Sequence, residues 1–136
     1  MNEQTLCNLA IEAMKNAYAP YSHHLVGAAL LTKSGKVYCG CNIENVSYTP
    51  TVCAERTAFF KAVSEGETAF SMLAVAGGAQ GELNGICSPC GVCRQVIAEF
   101  CDADFPILMV RDANHFEKIT LGELLPFAFQ TGKGNQ

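Results

Sequence analysis

At 136 residues, with 49% hydrophobic and 16% charged side chains, the chain has the size and composition of one globular domain with a substantial core, which argues against disorder. A formal net charge of −4 argues against a nucleic-acid backbone as the main partner, because phosphate binding needs a basic surface; a small ligand fits better. No apolar run reaches membrane-spanning length, and Met1-Asn2-Glu3-Gln4 lacks the basic and apolar regions of a secretory signal, so the expected compartment is the cytosol, with no membrane partner.

Leu6, Leu9, Ala10, Ala13, Met14 and Ala17 recur at helical spacing, and Tyr18-Ala19-Pro20 ends that amphipathic helix. Two apolar runs, 25–32 and 37–43, flank Lys33-Ser34-Gly35-Lys36 and suit an antiparallel hairpin. Residues 53–65 read as a helix closed by Gly66, 70–76 as a strand, and 77–88 as a Gly-rich loop. A further helix over 90–100 starts just after Pro89. Strands at 107–111 and 116–120 flank Asp112-Ala113-Asn114, and Thr120 with Glu123 forms a capping-box pattern before Pro126. Strands interleaved with helices, without repeats or linkers, predict one domain over 1–136. Its expected architecture is a three-layer α/β/α sandwich around a mixed, about five-stranded sheet, with a loosely held tail from about residue 130.

The chemistry concentrates in Cys53-Ala54-Glu55-Arg56 and in Pro89-Cys90-Gly91-Val92-Cys93-Arg94-Gln95. Cys53, Cys90 and Cys93 could hold zinc and leave its fourth position to water, whose protons Glu55 could move. All three cysteines fall in first turns of predicted helices, where unpaired N–H groups and the positive dipole end favour thiolate over thiol. Three thiolates on a divalent ion leave a formal charge of about −1, which weakens its power to acidify water. Arg56 is the expected donor to a ligating thiolate that offsets this charge; for Arg94 that role and a surface position stand level.

Five of the eight cysteines remain: Cys7, Cys39, Cys41, Cys87 and Cys101, each read as a buried apolar thiol. Cys87 forces an alternative, because Cys87-x-x-Cys90-x-x-Cys93 also begins an iron–sulfur motif, and with Cys53 it could close a four-thiolate site. Against both, the continuation Arg94-Gln95-Val96-Ile97 lacks the ferredoxin cysteine and proline, and either site would give Glu55 no task.

Cys-Ala-Glu followed by Pro-Cys-x-x-Cys matches the pattern of zinc nucleobase deaminases, in which the glutamate stays outside the metal shell. Together with YAPYS at 18–22, VGAALLT at 26–32, CNIEN at 41–45, FKAVSEG at 60–66, SPCGVCRQV at 88–96 and ELLPFAF at 123–129, the chain resembles the cytidine deaminase family over nearly its whole length. The resemblance is to the short homotetrameric class with three cysteine ligands. It implies zinc at Cys53, Cys90 and Cys93, Glu55 as the proton shuttle, and conversion of cytidine or deoxycytidine to the uridine with loss of ammonia, in pyrimidine salvage. It also implies ribose contacts from Asn42 and Glu44, which on their residue types alone read as a loop-capping pair. The backbone around Ala54 and 88–90 would read the pyrimidine edge. Tyr48 and Phe129 match pocket residues, Phe129 reaching in from a neighbouring subunit, so the tetramer shares its active sites.

One departure stands out: where many family members stack a phenylalanine on the pyrimidine, this chain has His24. With the Gly-rich 77–86 loop, His24 is expected to admit cytidine analogues or N4-modified cytidines. The related blasticidin S deaminases share the zinc and glutamate motifs but usually lack the arginine after Cys-Ala-Glu and the Asn-Ile-Glu motif, which makes them the weaker resemblance.

Overall fold

The structure, a computed structural model, describes residues 1–130; the tail expected to be loosely held lies, beyond Gln130, outside the described residues. Helix α1 (Glu3–Ala13) starts where the Asn2 side chain accepts from the Thr5 N–H, 2.8 Å away. It buries Leu6, Cys7, Ala10 and Ala13, and a 3₁₀ turn at Met14–Asn16 ends it before Pro20. Strands β1 (His24–Thr32) and β2 (Val37–Cys41) form the hairpin expected from the glycine-containing turn.

Helix α2 (Ala54–Ser64), strand β3 (Phe70–Ala79), helix α3 (Gly91–Phe100), strands β4 (Pro106–Asp112) and β5 (His115–Thr120), and the short helix α4 (Leu121–Leu124) complete the chain. The Thr120–Glu123 capping box opens α4 as its sequence pattern requires, and Gly66 takes the left-handed φ of 94° after α2. Strand β3 runs three residues past the expected stop at Ala76, because Gly77, Gly78 and Ala79 continue the antiparallel ladder with Val26, Leu25 and His24.

The sheet order is β2-β1-β3-β4-β5, antiparallel except for the β3–β4 pair, to which α3 supplies the crossover. Alternation along the central strands divides the core into two layers. Ala28, Leu30, Leu73, Val75, Ile107 and Met109 face α2 and α3, while Ala29, Ala74, Ala76, Leu108 and Val110 face α1. The observed architecture is therefore the expected three-layer mixed α/β/α fold. Phe59, Phe70 and Phe100 brace α2 against β3 and α3, with ring centroids 4.9, 6.2 and 6.0 Å apart.

Register decides where chemistry can happen. Gly27 pairs with Cys41 and His24 with Ala79, so the start of β1, the end of β2 and the end of β3 lie at one edge of the sheet. The segments leaving that edge lead directly into the N-termini of α2 and α3. Gly40 permits the close seat of α2: a Cβ there would lie 2.6 Å from both the Ala54 carbonyl oxygen and the Ala58 nitrogen.

Candidate active site

Cys53 and Cys90 stand at the N-caps of α2 and α3, one residue earlier than the first-turn positions expected for them, and Cys93 lies in the first turn of α3. Their sulfurs converge: Cys53 Sγ lies 3.6 Å from Cys90 Sγ, and Cys90 Sγ lies 3.5 Å from Cys93 Sγ. The Cys93 N–H also points at Cys90 Sγ, so the backbone at the start of α3 stabilises the sulfur it presents. All three sulfurs fall within 4.8 Å of one another, a spacing that one tetrahedral ion can bridge with thiolate bonds of about 2.3 Å.

The cluster's protons are unevenly held. The Cys53 thiol is lowered to about 5, first by the hydrogen bond from Cys93 and then by those from Arg56 and Cys90. Cys93 is raised, first by its bond to Cys53 and then by burial. The metal-free cluster therefore keeps a proton on Cys93 that a metal ion must displace.

Arg56 Nη2 donates to Cys53 Sγ at 3.3 Å, as its position beside the motif suggested, and its Nε is buried without a partner among the described residues. Arg94 does something else. Its Nε donates to the Pro89 carbonyl and its Nη1 to the Leu124 carbonyl, both at 2.7 Å, so it ties the start of α3 to α4 and contacts no thiolate among the described residues.

Glu55 is 3% exposed, beside the fully buried Ala54 in the first turn of α2. Burial raises its carboxyl to about 7, and the negative charge of Cys53 adds to the effect. A carboxyl buried against a thiolate cluster without an apolar purpose is a candidate proton carrier.

Cys87 does not join the metal cluster: among the described residues the group comprises Cys53, Cys90 and Cys93 alone. Burial pushes the Cys87 thiol up to about 11, and the nearby charges of Glu55 and Cys53 push the same way. Of the other cysteines read as buried, Cys7 and Cys101 are, whereas Cys39 and Cys41 are half-buried because β2 is an edge strand.

The residues read as substrate contacts spread around the same edge. Asn42 brackets the start of β1: its Oδ1 accepts from the Val26 N–H at 2.9 Å, and its Nδ2 donates to the His24 carbonyl at 2.7 Å. Glu44 accepts from the Tyr21 and Ser22 N–H groups and from the Ser22 hydroxyl. Both side chains thus staple the 18–26 segment, the loop-capping role their types suggested, while an amide and a carboxylate each keep further bonding capacity. Glu44 with Tyr21, Ser22, Tyr48 and Thr51 lines a cavity of about 350 Å³. Tyr48, at φ 64°, is 70% exposed and packs edge-on to Tyr21, and Phe129 is 75% exposed. Within one chain, neither Tyr48 nor Phe129 is covered as a pocket residue would be.

Sequence reasoning passed over Ser22, whose hydroxyl accepts from the His24 N–H while donating to Glu44, and Gln80, whose N–H donates to the His23 carbonyl at 2.6 Å. The signal for Ser22 lay in the YAPYS match; nothing in the sequence marked the turn at Gln80.

The family model for the cytidine and deoxycytidylate deaminase zinc-binding region matches residues 1–109. A cytidine deaminase from Sporosarcina psychrophila is 49% identical over 129 residues, covering 95% of this chain and 92% of that protein. A blasticidin-S deaminase from Bacillus cereus is more distant, at 33% over 128 residues, covering 91% of this chain and 89% of that protein. Among solved structures, the cytidine deaminase from Burkholderia pseudomallei superposes with a TM-score of 0.87 at 42% identity, covering 95% of this chain and all of that one. The Mycobacterium tuberculosis cytidine deaminase gives 0.82 at 38% identity, covering 96% and 99%.

Proposed function

The chain belongs to the cytidine and deoxycytidylate deaminase family, a zinc-dependent family, and on that premise we propose how its own residues act. The reaction is hydrolytic deamination of cytidine or deoxycytidine to uridine or deoxyuridine, with release of ammonia. One observation carries it: three sulfurs gathered at two helix N-termini, with the buried carboxyl of Glu55 in the first turn of one of those helices. The donor set fits zinc, being three thiols of soft character with a fourth position left open among the described residues.

Cys53, Cys90 and Cys93 would hold the ion, which when bound acidifies a water and makes it a nucleophile near neutral pH. Glu55 accepts a proton as water oxygen bonds to C4 of the cytosine and delivers it to N3. It then passes the second water proton to the exocyclic nitrogen, so the C4–N bond breaks and ammonia leaves. Arg56 holds Cys53 in its thiolate form through the 3.3 Å contact. The Ala54 backbone reads the pyrimidine edge, the spare bonding capacity of Asn42 and Glu44 meets the ribose hydroxyls, and His24 lies against the ring.

Tyr48 and Phe129 complete the pocket only if another subunit covers them. Their exposure, with that of Val46 and Phe127, supports a homotetramer with shared active sites. The unit acting is a single domain over 1–136, placed in cytosolic pyrimidine salvage; no helix among the described residues is long and apolar enough to cross a membrane. The test is the ultraviolet change of cytidine with ammonia measured in parallel, before and after chelation. Ammonia released in step with uridine, lost on chelation and restored by zinc, supports the proposal. A zinc-loaded protein that leaves cytidine intact but consumes blasticidin S would instead place it with the more distant relative.

A further inference from the structure

Ser22 links the Glu44 carboxylate to the start of β1, and no step of the deamination uses it. Its hydroxyl oxygen accepts from the His24 N–H at 3.1 Å, which leaves the hydroxyl proton to Glu44 Oε2 on the other side. An ionised carboxylate cannot donate in return, so the backbone fixes the direction of this bond. The Ser22 hydroxyl is also the largest influence holding the Glu44 carboxyl below the usual carboxylate range; it outweighs burial, and the Ser22 and Tyr21 N–H groups and the charge of His23 act the same way.

Both partners are held in place before any ligand arrives. The Glu44 N–H donates to the Tyr18 carbonyl at 2.8 Å and the Tyr18 N–H to the Asn42 carbonyl at 3.0 Å. On the Ser22 side, the His23 N–H reaches the Ala19 carbonyl at 3.0 Å, and the Gln80 N–H reaches the His23 carbonyl at 2.6 Å. A carboxylate offers about four acceptor directions. Oε1 gives its two to the Tyr21 and Ser22 N–H groups, at 2.9 and 3.1 Å, and Oε2 gives one to the Ser22 hydroxyl. What remains among the described residues is a single direction on Oε2. The cavity that Glu44 and Ser22 line with Tyr21, Tyr48 and Thr51 measures about 350 Å³; at roughly 30 Å³ per water it equals about twelve waters, room for a pentose. Without the Ser22 hydroxyl, the carboxylate could pivot about its Oε1 contacts and present Oε2 in more than one way.

We propose that Ser22 is a positioning residue for the ribose: its hydroxyl fixes the carboxylate plane of Glu44 so that Oε2 offers one acceptor direction to one ribose hydroxyl. The inference rests on the proposed deaminase reading, in which Glu44 meets the ribose, and adds a residue that acts through Glu44 without touching the reacting atoms. Its contribution therefore falls on binding, and only on substrates that carry the hydroxyl in question.

The experiment measures kcat and KM for cytidine, 2′-deoxycytidine and 3′-deoxycytidine with zinc-loaded wild type, Ser22→Ala and Ser22→Thr. Ser22 is exposed, so alanine leaves no cavity, and Ser22→Cys repeats the comparison with a weaker donor of similar shape. Expected is a KM for cytidine about five-fold or more higher in Ser22→Ala, with kcat within about two-fold, and recovery in Ser22→Thr, which keeps a hydroxyl. One deoxynucleoside, the one lacking the hydroxyl that Oε2 meets, should change less than about two-fold in Ser22→Ala, while the other loses as cytidine does. A second readout is the double-mutant cycle: in Glu44→Gln, whose amide nitrogen cannot accept from Ser22, adding Ser22→Ala should leave KM for cytidine unchanged. Equal loss on all three substrates, no loss on any, or additive losses in the cycle overturns the inference while leaving the deaminase reading intact. Absence of cytidine turnover by the wild type would instead remove the reading beneath it.

Discussion

Replacing Arg56 with glutamine tests whether a guanidinium contact sets the zinc affinity of a three-thiolate site. The wild-type side chain reaches Cys53 Sγ at 3.3 Å from a part-buried position. A hydrogen bond to a charged partner contributes about 1.5–3 kcal/mol, and the Coulomb attraction of unit charges about 4 Å apart at an effective dielectric of 20 is about 4 kcal/mol before desolvation is subtracted. Outer-shell partners of metal ligands typically change affinity about 10–100-fold, or roughly 1.4–2.7 kcal/mol, which lies inside those bounds. The assay is competition for zinc against a chromophoric chelator at fixed pH, with thermal unfolding of both apoproteins run alongside. Expected is about 10–100-fold weaker zinc binding by Arg56→Gln, with the two apoproteins unfolding within a few degrees of each other. Zinc affinity within about two-fold of wild type would refute the reasoning, since the contact would then be geometric only.

Further outcomes follow from the same structure. Zinc added to the apoprotein at neutral pH should release at least the proton that Cys93 retains, read from the buffer dependence of the calorimetric heat; affinity should rise with pH, and a heat independent of buffer would contradict the proton placement. Phe59→Ala should destabilise the protein by about 3–5 kcal/mol in urea unfolding, because Phe59 is fully buried between Phe70 and Phe100; a cost below about 1 kcal/mol would mean the site collapses. Phe129→Ala should raise KM for cytidine with kcat less affected, and sedimentation should show wild-type tetramers. A monomer of full activity would end the shared-site proposal. His24→Phe should narrow substrate range, so unchanged relative rates for cytidine and its analogues would leave His24 without a part in specificity.

Local signals made most of the fold legible. Gly35 and Gly66 marked turns, Pro89 marked the start of α3, Thr120 with Glu123 marked α4, and alternating apolar residues marked strands whose two faces meet different helices. The cysteine spacing also gave the metal cluster, because helix periodicity fixes Cys90 against Cys93. What sequence could not supply was non-local. That Arg94 spans from the Pro89 carbonyl to the Leu124 carbonyl, and not to a thiolate, depends on where α4 docks. The end of β3 was misplaced because glycine is usually read as a loop former, whereas Gly77 and Gly78 serve here to let Cys87 and Glu82 approach the strand. The types of Asn42 and Glu44 suggested a loop-capping pair, but that the segment they cap is the one bearing His24 depends on register.

The measurement that bears most directly on the central claim is the turnover of Glu55→Gln protein whose zinc content has been determined. Glutamine keeps the size of the side chain and leaves all three sulfurs in place, but it cannot carry a proton. The expected result is zinc retained at the wild-type stoichiometry and kcat for cytidine lower by about 10²–10⁴-fold, the usual share of general acid–base catalysis. A zinc-replete variant turning over within about ten-fold of wild type would contradict the assignment of proton transfer to Glu55.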